Sequence, residues 1–438
     1  MDKSKLYNDV PYLPFAAHGT QSDAALDMPK QDVTLLRELG KRYAEAASSP
    51  ENARRKSAWA DINDLRGGRP LVWANEICWH EMNVNNELTL VSESPIALRI
   101  ESMLRRTLYQ WNHLQGDMII EQTFFSPYIL ENTGFGIAPD ADIAITDPNN
   151  TIASRRFHCQ IKRMEDIDQI KTPGITLQKE RTEAFFQQYS YIFDGIIAVE
   201  KYGCSGFWFA PWDDIVLWMG AEEVLTGLAA EPELMHVLIK RLTDAYLGAL
   251  DQLEALKLVA SNNLNVRVGS GGYGYTRSIP PAADGCGAMR IWGSATPQIF
   301  SSVSPRMHDE FGLTYEKRWL ERFALSYYGC CEPLHNKLDI LKSIPNLRKI
   351  SISPWADTIA ASEQMRGKYV VSLKPTPAFL ACDTFDSALA EDELREKLKQ
   401  LKGCCVEVIL KDISTVRGEP ERLWRWMDMA MRVAQEFG

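Results

Sequence analysis

Five apolar runs in the second half of the chain, NVRVGSGGYGY, RFALSYYGCC, LRKISISPWAD, KYVVSLKPTP and CCVEVILKDIS, each lead into a polar or Gly/Pro-containing loop. Runs with few polar interruptions suit strands buried on both faces, the condition of a parallel sheet covered by helices. Most are followed by a helical pattern, including Leu334–Leu341, Thr358–Arg366 and Ala388–Leu401. The same alternation starts earlier, with PLVWANEICWHEMN as the first strand and DMIIEQTFF, RRFHCQIKRM and DGIIAVEKYG as weaker ones. Pro95 opens an amphipathic stretch with Ile96, Ile100, Met103, Leu104 and Leu108 near helical spacing, and Glu222 to Leu256 reads as one long helix. Strand, loop and helix in repetition predict parallel strands with helical crossovers, and their number and the chain length favour a closed (β/α)8 TIM-type barrel over residues 67–438. Residues 1–66 read as an N-terminal helical extension: an extended, Pro-punctuated start, then helical patterns near 32–47 and 51–64, stopped by Gly67, Gly68 and Pro70.

Charge and cysteine usage bound the function. With 48 Lys and Arg against 58 Asp and Glu, the net charge of −10 argues against a nucleic-acid partner held by a basic face. No apolar segment reaches membrane-spanning length and the first residues lack a secretory apolar stretch, so no membrane association and a cytoplasmic location are expected. Nine cysteines in 438 residues are too sparse for a disulfide framework, which leaves reduced thiols for catalysis or metal binding. The Gly-rich GSGGYGY is not read as a dinucleotide-binding fingerprint, since no acidic residue follows it at the proper offset, and P-loop, HExxH and GxSxG motifs are absent.

In a barrel of this type the chemistry gathers where strands end, so the residues after each apolar run are the candidates. The first strand delivers Glu76, Trp79, His80 and Glu81. Two carboxylates flanking an imidazole suit general acid/base work or cation binding; the plainer alternative is a surface loop with Glu81 capping a helix and His80 solvated. A second group is Tyr328, Cys330, Cys331, Glu332 and His335. Pro333 at a first helical turn would set both thiols and Glu332 at a helix N-terminus, where the dipole favours thiolate and carboxylate, with Glu332 and His335 on one face. Cys330, Glu332 and His335 are then candidate Zn²⁺ ligands, or the group holds substrate by hydrogen bonds without metal. Trp355, Asp357, Lys374 and Asp412 close three later strands as candidate substrate contacts, Lys374 toward an anion. Cys404 and Cys405 stand at the start of their strand, which assigns them to the core. Glu76, Glu81 and Glu332 together predict an acidic mouth.

The segment FAPWDDIVLWMGAEEVLTGLAAEPELMHVLIKRLTDAY resembles the strand and "G-x-E…L…P-E…H…L" helix of the uroporphyrinogen decarboxylase and corrinoid-linked methyltransferase superfamily, and SATPQIFSSVSPRMHDEFGLTYEKRWLERF resembles its "SP-x-x-x-x-E-F" element. The likeness runs over about residues 70–438 and implies a TIM-type barrel. Uroporphyrinogen decarboxylases carry an Arg-rich motif after the first strand, where this chain reads NEICWHEMN, so a porphyrin polycarboxylate is not the expected substrate. The coenzyme M methyltransferase branch binds zinc through His-x-Cys and a later Cys; here those places hold Tyr328-Gly329-Cys330 and Asp412.

EICWHEMN, GCCEPLH, SISPWAD and SLKPTPA look more like a group of superfamily members from anaerobes that resemble substrate:corrinoid methyltransferases. The resemblance therefore implies demethylation of a small O- or N-methyl donor, with the methyl group passed to a Co(I) corrinoid (cobalamin) carried on a separate protein, because the chain lacks the corrinoid-binding D-x-H-x-x-G. Glu76, His80, Glu81, Cys331 and Glu332 are the expected catalytic groups, Zn²⁺ an optional cofactor, and a homodimer an allowed assembly. The competing expectation is a decarboxylase of a small carboxylic acid, with Lys374 holding the carboxylate.

Overall fold

The computed structural model describes residues 28–144, 154–280, 285 and 287–438; the extended start expected before residue 28, and Cys286, lie outside them. Seven parallel strands form the central sheet: β1 (Leu71–Ala74), β2 (Trp208–Phe209), β3 (Trp292–Ala295), β4 (Leu325–Tyr328), β5 (Leu347–Ile352), β6 (Val370–Leu373) and β7 (Cys405–Leu410). Their order is β1-β7-β6-β5-β4-β3-β2, so six of them follow chain order and β1 joins beside the last. Register pairs Leu71 with Glu407, Ser372 with Glu407 and Ser351 with Ser372. Every residue of β3, β4, β6 and β7 is buried, as the apolar runs require. The helix Glu421–Glu436 covers β1 with Leu423, Trp426, Met427, Ala430 and Val433 buried.

A closed eight-stranded barrel is not shown. The hydrogen-bonded ladder ends at β1 on one side and at the two-residue β2 on the other, and the strands Thr123–Pro127 and Ala198–Tyr202 pair in parallel with each other. On the free side of β1 Val72 is met by one residue, Asp117, through side chain and backbone: the Val72 amide donates to the Asp117 carboxylate at 2.7 Å, and the Asp117 amide donates to the Val72 carbonyl at 2.7 Å. Asp117 is held in turn by Arg69. The expected strand DMIIEQTFF therefore begins only at Thr123.

Other local expectations shift for comparable reasons. The predicted long helix divides into Ala221–Ala230 and Pro232–Ala255, because Pro232 lacks an amide hydrogen and starts a new first turn. The helix Pro95–His113 forms as read, with the Ser94 hydroxyl accepting from the Ala97 amide, but Met103 lies off its buried stripe. The helices Lys30–Ala47 and Pro50–Asn63 form within the expected extension, and the second drives Trp59, fully buried, against Tyr273.

GSGGYGY is not a strand of the sheet but part of a hairpin, Arg267 opposite Tyr273, lying against it. Its glycines permit that approach: a Cβ on Gly271 would sit 2.4 Å from the Glu407 carboxylate, and one on Gly272 2.2 Å from the Trp59 ring.

Beneath this hairpin the sheet carries an ionic network. Lys349 on β5 and Glu407 on β7 pair at 2.8 Å with both side chains wholly buried. Glu407 also accepts from the Gly272 amide at 3.0 Å and the Ser372 hydroxyl at 2.6 Å, while Lys349 donates to the Tyr273 carbonyl at 3.2 Å and lies over the Trp59 and Trp292 rings. Burial alone would raise the Glu407 carboxyl, but the ammonium groups of Lys349 and Lys374 outweigh it and hold the group below its ordinary range. Breaking such a pair strands a buried charge, whereas replacing both partners by apolar groups does not. Lys349→Met alone is expected to lose about 3–5 kcal/mol of stability in urea unfolding, and the double variant Lys349→Met with Glu407→Leu less than either single change. Equal losses in the single and double variants would contradict the pairing.

Candidate functional site

The carboxyl ends of the strands bring together two layers of groups with opposite character. The upper layer is ionic. Glu76, two residues past the β1 end, adopts a positive φ of 51° that turns its carboxylate across the sheet, where Arg267 of the hairpin donates to it at 2.5 Å and the Lys411 ammonium lies 3.3 Å away. Burial works against ionisation, yet these two cations hold Glu76 down to about 2. Lys411, at the end of β7, also pairs with Asp412 at 2.5 Å, and its ammonium is 4.0 Å from the Cys330 sulfur and 3.8 Å from that of Cys331. Burial disfavours its charge, but the surrounding thiols and carboxylates raise it well above the usual lysine range.

The two sulfurs lie 3.6 Å apart, and Cys331 also reaches Asp412 at 3.5 Å. The Cys330 thiol, donated to Cys331, holds the Cys331 thiol below its ordinary range, burial opposing this and Lys411 adding to it. The cause differs from the expected helix N-terminus: residues 329–337 hold a bend and a turn but no helix, and the next helix begins only at Leu338. Pro333 therefore starts no helix, and Glu332 and His335 do not share a helical face.

The lower layer consists of carboxyl groups that form no ion pair among the described residues, although the buried Lys337 ammonium, which donates to the Phe300 carbonyl, acts on Glu332 from a distance. Glu332 is fully buried, accepting from the Thr296 hydroxyl at 2.8 Å and from the Cys330 amide at 2.9 Å, and burial raises its carboxyl. Asp213, in the first turn of the helix Pro211–Met219, is only partly buried; burial and the nearby Glu332, Asp214 and Cys330 push it up to about 8. Asp214, raised by burial to about 6, accepts from Tyr246 at 2.5 Å. Glu316, fully enclosed and likewise pushed to about 8, accepts from the Tyr328 hydroxyl at 2.6 Å. His308 Nε2 lies 2.6 Å from that same hydroxyl, and burial drives the imidazole to about 3. Because the Tyr328 proton goes to Glu316, the neutral His308 donates from Nε2, which leaves its Nδ1 and the Glu316 Oε1 buried without partners. A π-helical stretch, Asp309–Leu313, separates His308 from Glu316 and lets both reach one phenol.

Several expected groupings come apart. Glu81 does not join Glu76: its carboxylate accepts from the amides of Val416 at 2.8 Å and Gly418 at 3.0 Å, bracing a turn after β7, with the exposed His80 3.4 Å away. Trp79 packs on Tyr109 under the Arg106 guanidinium. Asp357 caps the helix Thr358–Met365 through the Ile359 and Ala360 amides, and Trp355 is 73% exposed. Lys374 is not at the rim but buried beneath it, donating to Tyr327 and Ser372 at 3.0 and 2.5 Å; burial lowers it to about 7. With Arg267, Lys411 and Lys374 answering the acids, the predicted acidic mouth becomes a mixed one.

Zinc does not fit the expected ligands. Both Glu332 oxygens are engaged, both thiols face the Lys411 ammonium, and among the described residues no three His, Cys, Asp or Glu side chains are grouped as a metal centre. Arg267, Thr296, His308 and Glu316 were not legible as site residues. His308 does lie in the SPRMHDEF element, and Asp213 follows the aromatic Phe207–Trp212 stretch, of which Phe207, Phe209 and Trp212 are core.

No family model and no curated protein matches the chain. Twenty-two chains of solved structures match it; one, a methyltransferase from Methanosarcina mazei, is 11% identical with a TM-score of 0.47, over 86% of this chain and 98% of that one.

Proposed function

We propose that the protein is a methyltransferase that takes a methyl group from a small O- or N-methyl donor, with a Co(I) corrinoid on a separate protein as the acceptor. The observation that supports this most is the carboxyl layer under the strand ends: Asp213, Glu316 and Glu332 come from three different segments, and none of them is ion-paired among the described residues. Carboxyl groups gathered without ion-pair partners hold protons more strongly, because the loss of water and each ionised neighbour disfavour a further charge. Demethylation requires such a proton, since the departing alkoxide or amine is a poor leaving group until its heteroatom is protonated.

Asp213 is the member of the three with access to solvent, so it donates to the oxygen or nitrogen of the donor. Burial keeps that proton on Asp213, and any charge on Glu332, fixed by Thr296 and the Cys330 amide, adds to it by repulsion. The ionic layer of Glu76, Arg267, Lys411 and Asp412 then orients the polar part of the substrate. The corrinoid supplies the nucleophile from outside, consistent with the missing D-x-H-x-x-G.

Mixing the purified protein with a reduced corrinoid protein and a panel of methoxyaromatics and methylamines is expected to form methylcobalamin from at least one donor; none formed from any donor defeats the reading. Asp213 holds its proton below about pH 8 and loses it above, so transfer should slow as pH rises through that value. Asp213→Asn is expected to lower the transfer rate about 100- to 10,000-fold and to abolish that alkaline decline, measured by stopped-flow absorbance of the corrinoid. An unchanged pH profile in the variant would assign the proton to another group.

A further inference from the structure

The sequence contains two adjacent cysteine pairs, and the fold treats them oppositely. Cys404 and Cys405 lead into and open β7, where successive side chains leave on opposite faces; Cys404 approaches Ser362 at 3.7 Å while Cys405 is buried with Trp59 and Leu71. Cys330 and Cys331 lie just beyond the end of β4. Gly329 turns the chain there with φ of 94°, the Cys330 amide is tied to Glu332 and its carbonyl accepts from Ser351 at 2.6 Å. That bend, pinned on both sides, points both sulfurs the same way, 3.6 Å apart, with Cys331 partly exposed.

We propose that Cys330 and Cys331 form a dithiol site that chelates a neutral, monosubstituted trivalent arsenical. Soft sulfur pairs favour soft thiophilic centres. A divalent cation such as zinc seeks four ligands, and at this pair it would also meet the Lys411 ammonium 3.8 and 4.0 Å from the sulfurs. An arsenical R–As=O carries no charge and needs only two sulfurs. Cys331 attacks first from the accessible side, and Cys330 closes the ring. Two As–S bonds form, the arsenic–oxygen bond breaks, and the two thiol protons leave with that oxygen as water; arsenic stays trivalent, so no oxidant or reductant enters. The inference does not rest on the methyl-transfer reading, although the sulfurs lie beside Lys411 and Asp412 of the ionic layer.

The test is titration of the full-length, reduced protein with phenylarsine oxide, followed by intact-mass measurement and peptide mapping. One phenylarsenic group per chain is expected, bridging Cys330 and Cys331, resistant to excess mercaptoethanol and removed by 2,3-dimercaptopropanol. Cys331→Ser should weaken capture about 100-fold, the scale of losing an intramolecular second contact, whereas Cys404→Ser should leave it unchanged. Mapping on the unsubstituted protein decides the matter even if Cys331→Ser does not fold. An adduct on Cys404 and Cys405, or no chelate resistant to mercaptoethanol, overturns the proposal.

Discussion

A charge pair sealed inside the sheet, Lys349 with Glu407, governs much of what surrounds it. Removing two charges from water is costly, and the cost is offset only if every remaining donor and acceptor is met. Here the requirement is satisfied by three different parts of the chain. The hairpin supplies the Gly272 amide and the Tyr273 carbonyl, β6 supplies Ser372, and the N-terminal helix Pro50–Asn63 supplies the Trp59 face. Asn63 then donates to the Tyr273 and Tyr275 carbonyls at 2.9 and 2.7 Å, tying the helix to the hairpin. A surface pair of the same residue types would contribute almost nothing of this kind, because solvent would screen it.

The pair also shapes the site. Ser372 passes from Glu407 to Lys374, and Lys374 to Tyr327, so the network climbs from the sheet interior to the strand ends. The hairpin held below by Glu407 presents Arg267 above to Glu76. Cations and ionised acids thereby collect at the mouth, and the carboxyl groups of Asp213, Glu316 and Glu332 gather separately, with no cation in an ion pair with them among the described residues. Separation of this kind gives one site both fixed charges and available protons, which acid-assisted group transfer needs.

Much of the strand framework was legible because burial on both faces leaves a direct mark in composition. LSYY, LRKISI, VVSL and CVEVIL are read straight from their runs, whereas WF at 208–209 and WGSA at 292–295 are too short or too rich in small residues to stand out. The site was legible in part. Glu76, Cys330, Cys331, Glu332 and Asp412 were placed by the rule that chemistry follows strand ends, and they do meet there. Glu81, Asp357 and Trp355 obey the same rule and serve other ends, since a carboxylate at a strand end can equally cap a helix or brace a turn. Arg267 and Glu316 come from a hairpin and a helix, where no strand-end argument reaches.

The sequence by itself determined that the chain alternates buried strands with helices, that its thiols are too sparse for a disulfide scaffold, and which loops carry reactive groups. Those follow from local composition, which records burial residue by residue. Only the tertiary structure decided that the sheet ends at Asp117 and β2 rather than being shown closed, and that a Gly-rich stretch covers an ionic interior. It also decided which of two identical Cys-Cys pairs brings its sulfurs together. These depend on direction and on partners distant in the chain: a side chain's charge state, and the way it points, are set by what the fold places within a few ångströms of it.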